Sequence, residues 1–189
     1  MGITASNKTL STTAIDCGGA FQVRLSLTAE PDILTNPTDI VLVLDRSGSM
    51  AGSPLANLKN GAKAFIDIIA QSTQGQPGQI GSGSRIAVVS FAGTATQDTQ
   101  LITSVTDLKA AVDALNSGGD TNHADAFTKA QALFQPASGN ARVMVMFTDG
   151  FTTVGPDAAA VAAAAKAQGT IIYIIGLSGN GGIDVDALE

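Results

Sequence analysis

The chain has one cysteine, one histidine, one tyrosine and no tryptophan in 189 residues, and only 14% of it is charged. Each scarcity excludes something. Cys17 has no partner in the sequence, so there is no internal disulfide framework, and it reads as a small buried hydrophobe. One histidine and one cysteine cannot supply the nitrogen and sulfur ligands that zinc sites usually combine. Ten basic residues against sixteen acidic ones give a net charge of −6, the wrong sign for a face that displaces counterions from phosphates, so nucleic acid is excluded as a partner. No apolar run approaches the roughly 20 residues that span a bilayer. Met1-Gly2 is not followed by a charged and then apolar leader, so no signal peptide is read there. What the chain has in quantity is hydroxyls: Ser and Thr together outnumber the charged residues. One domain with a full core and a short appendage is the expectation at this length.

The sequence divides into residues 1–35, a β extension that is possibly part of a split β-domain, and residues 36–189. In the first part Phe21, Val23, Leu25 and Leu27 alternate with polar residues at the period of a half-buried strand, and residues 12–16 offer a partner strand. From Thr38 the pattern changes. The apolar runs 40–44, 86–89, 143–147 and 171–175 predict strands buried on both faces, as in a mainly parallel sheet. Between them, Leu55, Leu58, Ala62, Phe65 and Ile69 recur at helical spacing behind Pro54. Residues 105–115, 124–134 and 157–168 are further helices, the last ended by Gly169. The polar, alternating stretch 94–101 predicts an edge strand. The fold class is α/β: a doubly wound, mainly parallel, Rossmann-like sheet with helices on both faces.

Ligands of such sheets bind beyond the carboxyl ends of the strands, where strand order reverses. The run 40–44 ends in Asp45-Arg46-Ser47-Gly48-Ser49, the run 143–147 ends in Thr148-Asp149-Gly150, and Gly118-Gly119-Asp120-Thr121 leads into a helix. Adjacent strands lie about 4.8 Å apart. Two ionised carboxylates at about 4 Å repel by about 4 kcal/mol at an effective dielectric near 20. A divalent cation removes that repulsion. The candidate ligands, Asp45, Ser47, Ser49, Thr121 and Asp149, are all hard oxygens, which suit Mg²⁺, or Mn²⁺ or Ca²⁺, rather than zinc or copper. Two carboxylates only just neutralise the ion, and an incompletely filled coordination sphere leaves a position for a partner's carboxylate. That is recognition chemistry rather than hydrolysis.

The spacing of these segments resembles the von Willebrand factor type A (vWA) domain and its metal-ion-dependent adhesion site (MIDAS), written Asp-x-Ser-x-Ser, then Thr, then Asp. All five positions match, and the resemblance covers roughly residues 38–178. It implies that Ser47, Ser49 and Thr121 bind Mg²⁺ directly and that Asp45 and Asp149 bind it directly or through water. It also implies a protein or extracellular-matrix partner offering a carboxylate. The family fold adds a final strand and a long C-terminal helix, for which the residues up to Glu189 leave too little room. The β-rich start resembles extensions beside such domains in bacterial surface proteins and pilus adhesins.

Among neighbouring residues, His123 reads as a solvent-facing residue at a helix start or, alternatively, a partner contact. Asp120 and Asp125 read as capping or metal-surrounding groups, and Arg46 as a rim residue. Asn7-Lys8-Thr9 matches a glycosylation sequon on three residues only. Enzymatic readings fail on their motifs: Ser47 stands where a haloacid-dehalogenase phosphatase needs its second Asp, and there is no phosphate-binding Gly-rich loop and no nucleophile elbow. The expected function is therefore a metal-dependent adhesion or protein-binding module, extracellular or at the cell surface, with no membrane insertion in this stretch. The alternative is an intracellular vWA subunit that acts with an ATPase in metal insertion or complex remodelling.

Overall fold

A computed structural model describes residues 2–10, 23–30, 36–150 and 152–184. Two sheets are present. Strands β1 (Gly2–Leu10) and β2 (Val23–Glu30) form an antiparallel pair, with a register shift between Ile3 and Ala5. The alternating strand pairs with Gly2–Leu10, and residues 12–16, expected as its partner, lie outside the described residues together with Cys17. The stretch 2–10 has too few apolar residues to show a period of two, so its pairing left no mark in the hydrophobic pattern.

The main sheet comprises β3 (Thr38–Asp45), β4 (Arg85–Phe91), β5 (Ala95–Gln97), β6 (Ala141–Thr148) and β7 (Thr170–Gly176) in the order β5-β4-β3-β6-β7. Four strands are parallel and only β5, at the edge, is antiparallel. Helices α1 (Ser53–Ser72), α2 (Val105–Asp113), α3 (His123–Gln131) and α4 (Ala158–Ala167) fill the connections, each close to its predicted position. Local chemistry starts three of them: Ser104, Asn122 and Asp157 accept hydrogen bonds from Asp107, Asp125 and Ala159 backbone amides at the N-termini of α2, α3 and α4.

Alternation along β3, β4 and β6 divides the core. Ile40, Leu42, Leu44, Val88 and Phe147 pack with Leu58, Ile66, Leu108 and Val112 of α1 and α2. Val41, Val43, Val89, Met144 and Met146 face Ala126, Phe127 and Ala130 of α3 and Ala165 of α4. On β7 only one face is covered: Ile172 and Ile174 pack inward, whereas Ile171 and Tyr173 are 49% and 57% exposed. Among the described residues no strand follows β7.

The amino-terminal end of the sheet is fixed by charge. Arg85 makes two hydrogen bonds to the buried Asp39, at 2.9 and 2.8 Å, and Asn140 adds one at 2.9 Å. Burial alone would raise the Asp39 carboxyl, but these partners outweigh it and hold it below the ordinary range. The opposite end has no such compensation. There β3 lies between β4 and β6, and Leu44 pairs with Phe147, which brings Asp45 level with the Thr148-Asp149 end of β6. This is where strand order reverses.

Candidate metal centre

Asp45, Ser47, Thr121 and Asp149 are buried and Ser49 is half-buried. Ser47 precedes a single 3-10 turn, Gly48–Met50, whose Met50 side chain is sunk in the core and whose amide donates to Ser47 O at 3.1 Å. That turn brings the Ser47 and Ser49 hydroxyls within 3.1 Å of each other. Asp45 Oδ1 accepts from the Ser47 amide at 2.8 Å, and Oδ2 accepts from the Thr148 hydroxyl at 2.6 Å. Both donors are neutral. Burial therefore pushes the Asp45 carboxyl up, those hydrogen bonds offset part of the rise, and the nearby charge of Asp149 adds to it.

Arg46 does not relieve the charge. Its Nε donates to Ser90 Oγ at 3.3 Å, on the β4 side, so it is half-buried beside the site and not over the carboxylates. Asp120 is exposed, and Asp125 Oδ2 accepts from the Ala95 amide at 2.7 Å, which fastens β5 to α3. His123 differs most from expectation. Far from facing solvent, it is 6% exposed, tilted against the Phe91 ring, with Nε2 2.9 Å from Thr148 Oγ1 and Nδ1 against Thr152 Oγ1. Burial pushes its pKa down even though the charges of Asp45 and Asp149 pull the other way, so the charged imidazolium that could balance them is disfavoured. The apolar groups that bury it come from strands and helices far apart in sequence, which a local reading cannot see.

Backbone hydrogen bonds tie the loops together. Gly118 N donates to Arg46 O at 2.8 Å and Gly48 N to Gly119 O at 2.9 Å. The reversal this needs places Gly119 at φ 87, a conformation open to glycine. Thr121 O accepts from the amides of Thr153 and Val154, at 3.0 and 3.1 Å, and its own amide donates to Thr153 Oγ1 at 2.8 Å. Residues beyond β7 close the ring: Asn180 N donates to Ser49 O and Asp184 N to Asp149 O, both at 2.8 Å. Thr148, Thr153 and the 179–184 segment were not singled out as site residues. The one local signal was a hydroxyl placed directly before Asp149 at the end of an apolar strand.

The donor set suits a hard divalent cation. Among the described residues there is no cluster of three His, Cys, Asp or Glu side chains that could hold a metal, so an ion here needs the hydroxyls as ligands. The two carboxylates supply the charge that such an ion would neutralise.

A sequence profile described as the von Willebrand factor type A domain matches residues 39–189. No curated protein sequence matches significantly. Among solved structures, proximal thread matrix protein 1 from the mussel byssus, with a zinc-occupied MIDAS motif, is 25% identical with a TM-score of 0.66 over 81% of this chain and 38% of its own. An aerotolerance-related membrane protein from Bacteroides fragilis is 21% identical with a TM-score of 0.62, over 75% of this chain and 68% of its own. The vWF domain of the type V pili tip protein Mfa5 from Porphyromonas gingivalis is 21% identical with a TM-score of 0.56, over 62% of this chain and 39% of its own. The chain thus spans about two thirds of the Bacteroides protein and well under half of the other two. At these identities the bacterial structures speak for the fold. The profile covers most of the chain, and with the parallel sheet and its reversal point it places the protein in the von Willebrand factor type A domain family.

Proposed function

We propose that the domain is a metal-dependent protein-binding module, and that Asp45, Ser47, Ser49, Thr121 and Asp149 form its MIDAS. The observation that carries this reading is the burial of Asp45 close enough to Asp149 to feel its charge, with the Ser47 and Ser49 hydroxyls 3.1 Å apart on the adjoining turn and only neutral donors on Asp45. A buried carboxylate pair is costly unless a cation joins it. Ser47, Ser49 and Thr121 would supply neutral oxygens and the two aspartates the charge. The remaining coordination position would take a carboxylate from a protein or matrix partner. Mg²⁺ is the proposed ion, with Mn²⁺ or Ca²⁺ compatible. The zinc in the byssus relative shows that a MIDAS can also take that metal, so zinc is included in the test.

Binding rather than catalysis is the reading proposed, because the candidate ligands are all hard oxygens and an incompletely filled coordination sphere takes a further oxygen, while the imidazole nearby is buried and bonded to Thr148 and Thr152. An extracellular or cell-surface location of the bacterial type is proposed on the hydroxyl-rich composition and on the pili tip and byssus matrix settings of two relatives. Calorimetric titration with each of the four cations, on the protein and on Asp149→Ala, tests the site. One ion bound by the parent and none by the variant is the expected result; equal binding overturns it. Acetate then probes the open position: with Mn²⁺ bound, it should displace water and lower water-proton relaxation.

A further inference from the structure

Thr148 Oγ1 has three polar neighbours: Asp45 Oδ2 at 2.6 Å, His123 Nε2 at 2.9 Å and the Gly150 amide at 3.1 Å. A hydroxyl has one proton to give and two lone pairs to receive. The carboxylate can only accept and the amide can only donate. The Thr148 proton therefore goes to Asp45, Gly150 N–H fills one lone pair, and the second is open to His123 only if Nε2 carries the ring proton. In the neutral ring Nδ1 is then a bare lone pair, which accepts the hydroxyl proton of Thr152, its other contact. One neutral tautomer satisfies every group in the chain Thr152–His123–Thr148–Asp45.

Given the metal site proposed above, we infer that His123 is a positioning residue for it, acting through Thr148 to fix the Asp45 carboxylate. With Thr148 held on three sides, its hydroxyl cannot rotate away from Oδ2. The Ser47 amide holds Oδ1 at 2.8 Å, so both carboxylate oxygens are pinned while the carboxylate keeps lone-pair capacity for the ion or a water bound to it. His123 bonds to Thr148, and Thr148 bonds to the proposed ligand Asp45. The imidazole thus orients the residue that orients a ligand, the arrangement by which outer groups tune metal sites. Its burial against Phe91, with ring centroids 5.2 Å apart, keeps the imidazole from turning over.

The test uses the single histidine as its own reporter, because all imidazole ¹⁵N signals arise from His123. In EDTA at pH 7.5, the spectrum should show a protonated Nε2 and a bare Nδ1. Mn²⁺ titrations of His123→Leu, His123→Gln, Thr148→Val and the His123→Leu/Thr148→Val double variant follow, with thermal melts in EDTA confirming that each is folded. Outer-shell losses of this kind run about 10- to 100-fold. His123→Leu should weaken Mn²⁺ binding within that range. His123→Gln, which returns an N–H at the same reach, should recover most of it, and the double variant should bind no more weakly than Thr148→Val. A protonated Nδ1, parental affinity in His123→Leu, or losses that multiply in the double variant would overturn the role of His123. If the parent binds none of the cations, the metal reading itself falls, whichever tautomer is seen.

Discussion

Gly179 lies against the Asp149 carboxylate so closely that a Cβ built on it would overlap Oδ2 and stand 2.9 Å from Cγ. The glycine is needed here for close approach. The segment cannot swing aside freely, because Asn180 N is bonded to Ser49 O and Asp184 N to Asp149 O. Gly179→Ala should therefore displace the carboxylate or strain the segment, at about 1–3 kcal/mol for the overpacking. Calorimetry should show cation affinity reduced about 10-fold or more. An unchanged affinity would mean that Asp149 is not a ligand or that the segment yields.

Asp45 makes metal-free stability depend on pH in a definite direction. Its carboxyl is raised in the folded state, chiefly by burial, so between the ordinary value near 3.9 and the raised one the folded protein holds a proton that the unfolded chain has lost. This contribution to stability falls as pH rises through that window. Thermal unfolding in EDTA should show the fall, Asp45→Asn should remove that part of the slope, and saturating Mg²⁺ should offset it. The cation must displace the proton, so its affinity should drop in mild acid sooner than at an ordinary aspartate.

At the other end of β3, six residues or about 20 Å away, Arg85→Met should leave the buried Asp39 with neutral side-chain partners, Asn140 and Ser138, in place of the guanidinium. Breaking such a pair costs about 3 kcal/mol. Asp39 is held below its ordinary range, so its contribution is present above about pH 3.9 and is lost as pH falls through the lowered value. Denaturant unfolding should show the loss while cation affinity stays near parental. A matching loss of affinity would show that the two ends of the sheet are coupled.

Thr153→Val removes the hydroxyl that receives the Thr121 amide at 2.8 Å. An unsatisfied buried N–H costs about 1–3 kcal/mol. Hydrogen exchange at the Thr121 amide should speed up and cation affinity should weaken, since the Thr121 loop loses one of its three bonds to residues 153–154. Unchanged exchange would show that water replaces the hydroxyl without cost.

Much of this was legible in the residues. The runs 40–44, 86–89 and 143–147 became β3, β4 and β6 because strands buried on both faces need apolar residues at every position, whereas the run 171–175 became β7 at the sheet edge, where Ile171, Tyr173 and Ile175 are exposed and not buried as the run predicts. The polar stretch 94–101 contains the edge strand β5 for the converse reason. The strand Gly2–Leu10 that pairs with β2 is not legible, because it has no apolar alternation. The burial of His123 is not legible, because its position at a helix start suggests exposure, while Phe91 and Thr148, which contact it, lie 32 and 25 residues away.

The sequence by itself determined the alternation of strands and helices, the two faces of the core and the five oxygen-bearing residues at the strand ends. These depend on local period and composition, which a chain carries without folding. Tertiary structure decided that Arg46 turns to Ser90, that His123 is buried and bonded to Thr148, and that Gly179 abuts Asp149. Those relations depend on burial and on contacts between distant loops. The abundant hydroxyls of the composition include Thr148 and Thr153, which bond to Asp45 and to the Thr121 amide.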